Sequence, residues 1–292
     1  MKQFYLTEIV TKDKLIHQGI FFRPKKAGKK AILWVHGLTS TFYGGIAMLE
    51  AFAQGCQEER IGFASFNNRG HDMITGIRKL DKRKKKGYSS VLGGAAMEKF
   101  KGCVYDIDAG VSFLVRQGYS EIILAGHSTG ANKVCYYAGN RRDPRVAAVV
   151  LAGPLSDRLG QGPRELKTKR DAMMELVREG KGDEPVFGYD FFPMTPRRFL
   201  SIYASNTSED TFDYGDSKPK LIAFSRIRQP MLVLVGESDE HLDRPAKQLL
   251  DVFAHHTRSH QYQSIIIPAA LHSFNGKEQE VVSSILRWVR EI

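Results

Sequence analysis

The sequence predicts an α/β protein: a mostly parallel, doubly wound sheet with an inserted helical lid. Three observations carry that prediction. From Ala31 onward, short apolar runs alternate with segments of helical period. Gly126, His127, Ser128, Thr129 and Gly130 form G-x-S-x-G between an apolar run too short for a helix and a helix-like segment. One stretch, Leu155 to about Lys218, breaks the alternation and is too long for a single crossover.

In chain order, Phe4 to Val10 and Leu15 to Phe22 read as an antiparallel edge hairpin turning at Lys12-Asp13-Lys14. Ala31 to Val35 and Ile61 to Phe66 read as parallel strands joined by a helix from Gly45 to Gln57. Met97 to Arg116 carries Phe100, Cys103, Val104, Ile107, Val111 and Leu114 at three- and four-residue spacing, which predicts an amphipathic helix ended by Gly118. Strands follow at Ile122 to Ala125, Val146 to Ala152, Met231 to Val235 and Ser264 to Ile267. Helices are expected at Ala131 to Ala138, near Pro245 to Phe253, and from about Lys277 to Arg290. The core is thus residues 1–154 and 219–292, and the lid residues 155–218. The lid holds a helix around Glu165 to Glu179, then an aromatic stretch through Phe187, Phe191, Phe192, Phe199 and Tyr203, which either lines a pocket or packs the lid onto the core.

The 292 residues suffice for a large core, and 42% hydrophobic with 26% charged content excludes disorder. The first residues lack a charged start followed by an apolar stretch, and no apolar run approaches the roughly 18 residues of a membrane span, so a cytoplasmic protein is expected. Cys56, Cys103 and Cys135 are odd in number and far apart, which points to reduced thiols and away from disulfides or zinc. Part of the net charge of +11 comes from the run Arg78 to Lys86, RKLDKRKKK, read as a solvated loop. With no zinc-finger spacing or RNA-binding signature beside it, no nucleic-acid partner is expected. It follows a strand whose end faces the reactive rim, where it would draw an anionic substrate.

A serine hydroxyl is a weak nucleophile at neutral pH and needs a histidine base and a carboxylate to orient that base. Ser128 sits just past one apolar strand, Asp239 past the strand ending at Val235, and His272 past the strand ending at Ile267. Reactive side chains gather at the carboxyl ends of parallel strands, and the order serine, acid, histidine fits this elbow. Glu237, Glu240 and Asp243 are competing acids; Asp239 has enough loop to reach back over the sheet. His36, His71, His127 and His241 read as structural or rim residues. The backbone N–H of Thr129 and that of Leu38, with Thr39 as the alternative, are the expected oxyanion donors.

With HGLTS at His36 to Ser40, NNRGHD at Asn67 to Asp72, GHSTG at Gly126 to Gly130, GESD at Gly236 to Asp239 and LHSF at Leu271 to Phe274, the sequence resembles the alpha/beta hydrolase superfamily. Within it the chain is similar to small-lid carboxylesterases of the cinnamoyl or feruloyl type. Through NNRGHD, GHSTG and GGAAMEKF (Gly93 to Phe100) it is also similar to fungal siderophore esterases and their bacterial relatives. The resemblance implies a serine esterase with Ser128, Asp239 and His272 as its triad, a small-molecule ester substrate, and no metal or organic cofactor. Ser128 argues against the epoxide hydrolases and dehalogenases of the superfamily, which carry aspartate at the elbow. A thioesterase, a carbon–carbon bond hydrolase, a peptidase and a non-catalytic binding protein on the same fold remain open.

Overall fold

The computed structural model describes residues 3–159 and 162–292. Residues 1 and 2 of the expected core and 160 and 161 of the expected lid lie outside the described residues. β1 (Tyr5–Val10) and β2 (Leu15–Phe22) form the expected hairpin. β3 (Lys30–Val35), β4 (Gly62–Phe66), β7 (Glu121–His127), β8 (Val146–Ala152), β9 (Met231–Gly236) and β10 (Tyr262–Ile267) run parallel in the spatial order β10-β9-β8-β7-β3-β4. Both faces of these strands are buried, except in the edge strand β10, which is why the inner ones read as unbroken apolar runs. Ala31, Leu33 and Val35 of β3 enter one core, Ile32 and Trp34 the other. The first core is closed by α2 (Cys103–Arg116), α3 (Thr129–Arg141) and α6 (Ala246–His256); the second by α1 (Ile46–Glu59) and α7 (Glu278–Glu291). The sheet is doubly wound, as the sequence predicts.

The basic run is not a simple loop. Arg78 to Leu80 end β5 (Thr75–Leu80), which pairs antiparallel with β6 (Tyr88–Gly93) and through Arg78 and Lys79 with Ile16 and Leu15 of β2. Ile16 pairs with both Val10 and Arg78, and Ile20 with both Leu6 and Ser65. So β1 takes one edge of β2, while β4 and β5 share the other. Arg78 is held by Glu8 and lies 5.5 Å from the Tyr88 ring centroid, and Arg83 bonds Asp81 at 3.0 Å. The helix expected from Met97 begins as a 3-10 turn at Phe100–Gly102 and becomes α-helical at Cys103. Ahead of it the chain is committed elsewhere: the Ala95 and Ala96 amides donate to the Asp72 and Met73 carbonyls at 2.9 Å each.

Between β8 and β9 lie α4 (Pro163–Arg178) and α5 (Pro196–Tyr203). Thr195 caps α5 by accepting from the Arg198 amide at 3.2 Å, and Pro196 starts the helix where a missing N–H costs nothing. Leu166, Met173, Phe192, Met194, Phe199, Ile202 and Tyr203 form one buried cluster with Ala95 and Ala96. Phe187 and Phe191 stay 76% and 70% exposed, so most, but not all, of the aromatic stretch is packing.

One dehydrated polar network ties this segment to the sheet. Lys133 Nζ on α3 lies 2.7 Å from Glu98 Oε1 and donates to Asn68 Oδ1 at 2.9 Å. Arg198 of α5 bonds Glu98 at 3.3 Å and the Ala95 carbonyl at 2.9 Å, and pairs with Glu209. All four charged side chains are buried, where a charge persists only when paired and hydrogen-bonded.

Candidate active site

β7 delivers the chain to Ser128, whose φ of 56° and ψ of −130° lie where L-residues rarely sit. Such a conformation costs on the order of 1–3 kcal/mol and persists because its surroundings impose it. A Cβ on Gly126 would fall 2.4 Å from the Gly130 carbonyl oxygen, and one on Gly130 2.2 Å from that of Val35. Strand and helix therefore pass as closely as the two glycines of G-x-S-x-G allow, and the serine stands at the corner. Its amide donates to the Ala152 carbonyl at 3.0 Å.

Ser128 Oγ lies 2.9 Å from His272 Nε2, and His272 Nδ1 lies 2.9 Å from Asp239 Oδ2. A carboxylate accepts, so Nδ1 carries the proton and Nε2 is left to accept from the serine hydroxyl. Asp239 is 7% exposed. Burial pushes its carboxyl up, but the bonds from His272 and from the His241 amide, the latter at 3.0 Å, outweigh burial and hold it below the ordinary range. The competing acids have other tasks. Glu240 accepts from the His272 amide and Glu237 from the Ala269 amide, each at 2.8 Å, while Asp243 pairs with Arg244 at 2.6 Å.

Of the histidines read as structural, two grip the site. His127 Nε2 donates to the His272 carbonyl at 2.8 Å, and its ring stacks on Trp34 at 6.4 Å. Burial first, then His272 nearby, lowers its pKa to about 4, so it stays neutral. With Glu240 on its N–H and His127 on its C=O, His272 is fixed through both backbone groups. Gly153, at φ +55°, packs against the same ring, and a Cβ there would stand 3.2 Å from His272 Cε1.

His36 acts on the other loop. Its Nδ1 lies 2.9 Å from the Gly37 carbonyl, which can only accept, and its Nε2 accepts from the Asn68 amide at 3.2 Å. These partners define a neutral imidazole, and burial, ahead of the Lys133 charge, lowers its pKa to about 3. In a trans peptide C=O and N–H point in opposite directions, so anchoring the Gly37 carbonyl aims the Leu38 amide. The amides of Leu38, Thr39 and Thr129 donate to no group among the described residues. NNRGHD is the scaffold beneath: Asn67 accepts from the Phe42 amide at 2.9 Å, Asn68 holds His36, and Arg69 grips Asp106 with bonds of 3.0 and 2.8 Å. The one signal for His36 was its place at the end of a parallel strand, directly before the oxyanion loop.

The architecture is that of the alpha/beta hydrolase fold. The model of a family described as "Protein of unknown function (DUF1749)" matches residues 86–290, and the chain belongs to that family. No curated protein matches in sequence. Among solved structures the chain is similar to Est1E from Butyrivibrio proteoclasticus with ferulic acid bound (16% identity, 98% of each chain, TM-score 0.65). It is also similar to the siderophore hydrolase EstB from Aspergillus fumigatus (17%, 98% of each chain, 0.66). A thermostable carboxyl esterase from Bacillus coagulans aligns over 100% of this chain and 99% of its own (14%, 0.65). Among the described residues, no helix is long and apolar enough to cross a membrane.

Proposed function

We propose that this protein is a serine hydrolase that cleaves carboxylic esters through an acyl-enzyme on Ser128. The observation that carries the reading is the 2.9 Å and 2.9 Å relay from Ser128 through His272 to Asp239. His272 takes the serine proton as Oγ attacks the carbonyl, and Asp239 steadies the resulting imidazolium. The Leu38 and Thr129 amides receive the oxyanion, and His272 then passes its proton to the leaving oxygen. Water activated by the same histidine releases the acid. Residues 155–218 act as a lid on a core of residues 1–154 and 219–292, in keeping with the contact of the Leu38 side chain with the α4–α5 cluster. Three free, buried cysteines suit the reducing cytoplasm. The esterase relatives support the choice of ester.

A fluorophosphonate probe tests this directly. It should label the wild-type chain on the peptide containing Ser128, and a binding protein on the same fold would stay unlabelled. His36→Phe should lower kcat by about 10- to 100-fold with little change in KM, short of the 10²–10³ for losing an oxyanion donor outright. An equal loss in kcat/KM arising from KM alone would show that His36 does not aim the Leu38 amide.

A further inference from the structure

The basic hairpin stands at the same end of the sheet as Ser128. β2 runs antiparallel to both β4 and β5, so β5 runs with the parallel strands. Gly19 of β2 pairs with Phe66, the last residue of β4, while Leu15, further along toward that end, pairs with Lys79. The β5–β6 turn therefore projects past the carboxyl ends of the parallel strands, four strand steps or roughly 20 Å from β7. The β1–β2 turn lies beside it, tied by the Leu80 amide, which donates to the Lys14 carbonyl at 2.8 Å. The β5–β6 turn also closes on itself, with the Gly87 amide donating to the Lys84 carbonyl at 2.8 Å and that of Asp81 to Gly87 at 2.9 Å.

Together the two turns carry Lys12, Lys14, Lys82, Lys84, Lys85 and Lys86, all exposed, and none of their ammonium groups meets a carboxylate among the described residues. The carboxylates between them are committed, Asp13 to Arg69 at 3.1 Å and Asp81 to Arg83 at 3.0 Å. Gathering several solvated lysines around one small anion would cost each its rotamer freedom, whereas a broad anionic surface meets them separately. Apolar side chains share this end of the molecule. Tyr43 and Ile46 follow β3, Met73 and Ile74 follow β4, and Leu271 follows β10, each between 42% and 64% exposed. The Asp72 amide donates to the Ser40 carbonyl at 3.2 Å, which joins the loops after β3 and β4. Aliphatic groups gain little from the phosphates and bases of a nucleic acid, but they do gain from the acyl boundary of a bilayer.

We propose that this end of the molecule docks on an anionic lipid bilayer, with the two lysine turns on the headgroups and the apolar rim at the acyl boundary. The net charge of +11 favours the approach, and the lysines set its orientation. Docked this way, the loops around Ser128 face the bilayer, and an ester dissolved in it reaches the serine without crossing water. That consequence rests on Ser128 being the nucleophile; the docking itself does not.

Sedimentation of the full chain with lipid vesicles tests this. The wild type should pellet with phosphatidylcholine vesicles that contain phosphatidylglycerol and stay in solution with phosphatidylcholine alone. Salt at 1 M, where the Debye length is about 3 Å, should release it. Lys84→Gln, Lys85→Gln and Lys86→Gln together should lower the partition coefficient about 100-fold, at about fivefold per lysine. Lys25→Gln, Lys26→Gln and Lys29→Gln together remove the same charge from the loop between β2 and β3, at the opposite end of the sheet, and should change it by less than about threefold. Met73→Ser with Ile74→Ser should lower it about tenfold. An equal loss from the two lysine triples overturns the surface, since net charge alone would then suffice. Vesicle binding that survives Met73→Ser with Ile74→Ser unchanged and is abolished by duplex RNA also overturns it, and marks a nucleic-acid site instead. Ser128→Ala should bind vesicles as the wild type does, so the two readings fail separately. Vesicle binding with no ester cleavage by the wild type upholds the docking surface and sinks the esterase; cleavage without vesicle binding does the reverse.

Discussion

Ser128→Ala should lower kcat for a p-nitrophenyl ester by about 10⁶-fold, as nucleophile loss does in serine proteases. Among the described residues the hydroxyl's one side-chain partner is His272, so its removal deletes the attacking atom and little else. Backbone strain stays the same, since alanine meets the same φ of 56°. Substrate should still bind, and the Tm should stay near that of the wild type. Turnover by the mutant within tenfold of the wild type would refute an acyl-enzyme on this residue.

Asp239→Asn should cost about 10⁴-fold in kcat, the scale seen when a triad carboxylate becomes an amide. Oδ1 is committed to the His241 amide at 3.0 Å and must remain an acceptor. Asparagine would then turn its NH₂ toward His272 Nδ1, and an imidazole that accepts at Nδ1 carries its proton on Nε2, facing the serine. The base is lost while the geometry stays. Neither Glu237 nor Glu240 can take over, because each already holds a loop amide. Steady-state kinetics with the Tm measured alongside would decide it, and a loss below tenfold would mean that another acid orients the ring.

The parallel strands, the elbow and the order of Ser128, Asp239 and His272 were legible because each rests on local pattern: an apolar run followed by a short loop carrying a reactive residue. The β5–β6 hairpin was not. Its strands carry Gly76, Lys79 and consecutive serines with little alternation, and the hairpin is joined to the sheet only through Arg78 and Lys79 pairing with Ile16 and Leu15, far away in the chain. α5 did leave a local sign, Thr195 followed by Pro196, overshadowed by the aromatic residues around it. The role of His127 depends on the His272 carbonyl and that of His36 on the Asn68 amide, both brought by other loops, and nothing local marks Arg198 for burial. Its dehydration is set by Glu98 and Glu209, neither adjacent in sequence.

The buried Lys133–Glu98–Arg198–Glu209 chain makes α5 a plug rather than a door. Withdrawing it would take Arg198 away from Glu98 and Glu209 in a dry interior, where breaking such a pair typically costs about 3–5 kcal/mol. The turn bearing Phe187 and Phe191, whose rings already meet solvent, is free of that constraint. Substitutions within residues 155–218 have their freest ground in that turn.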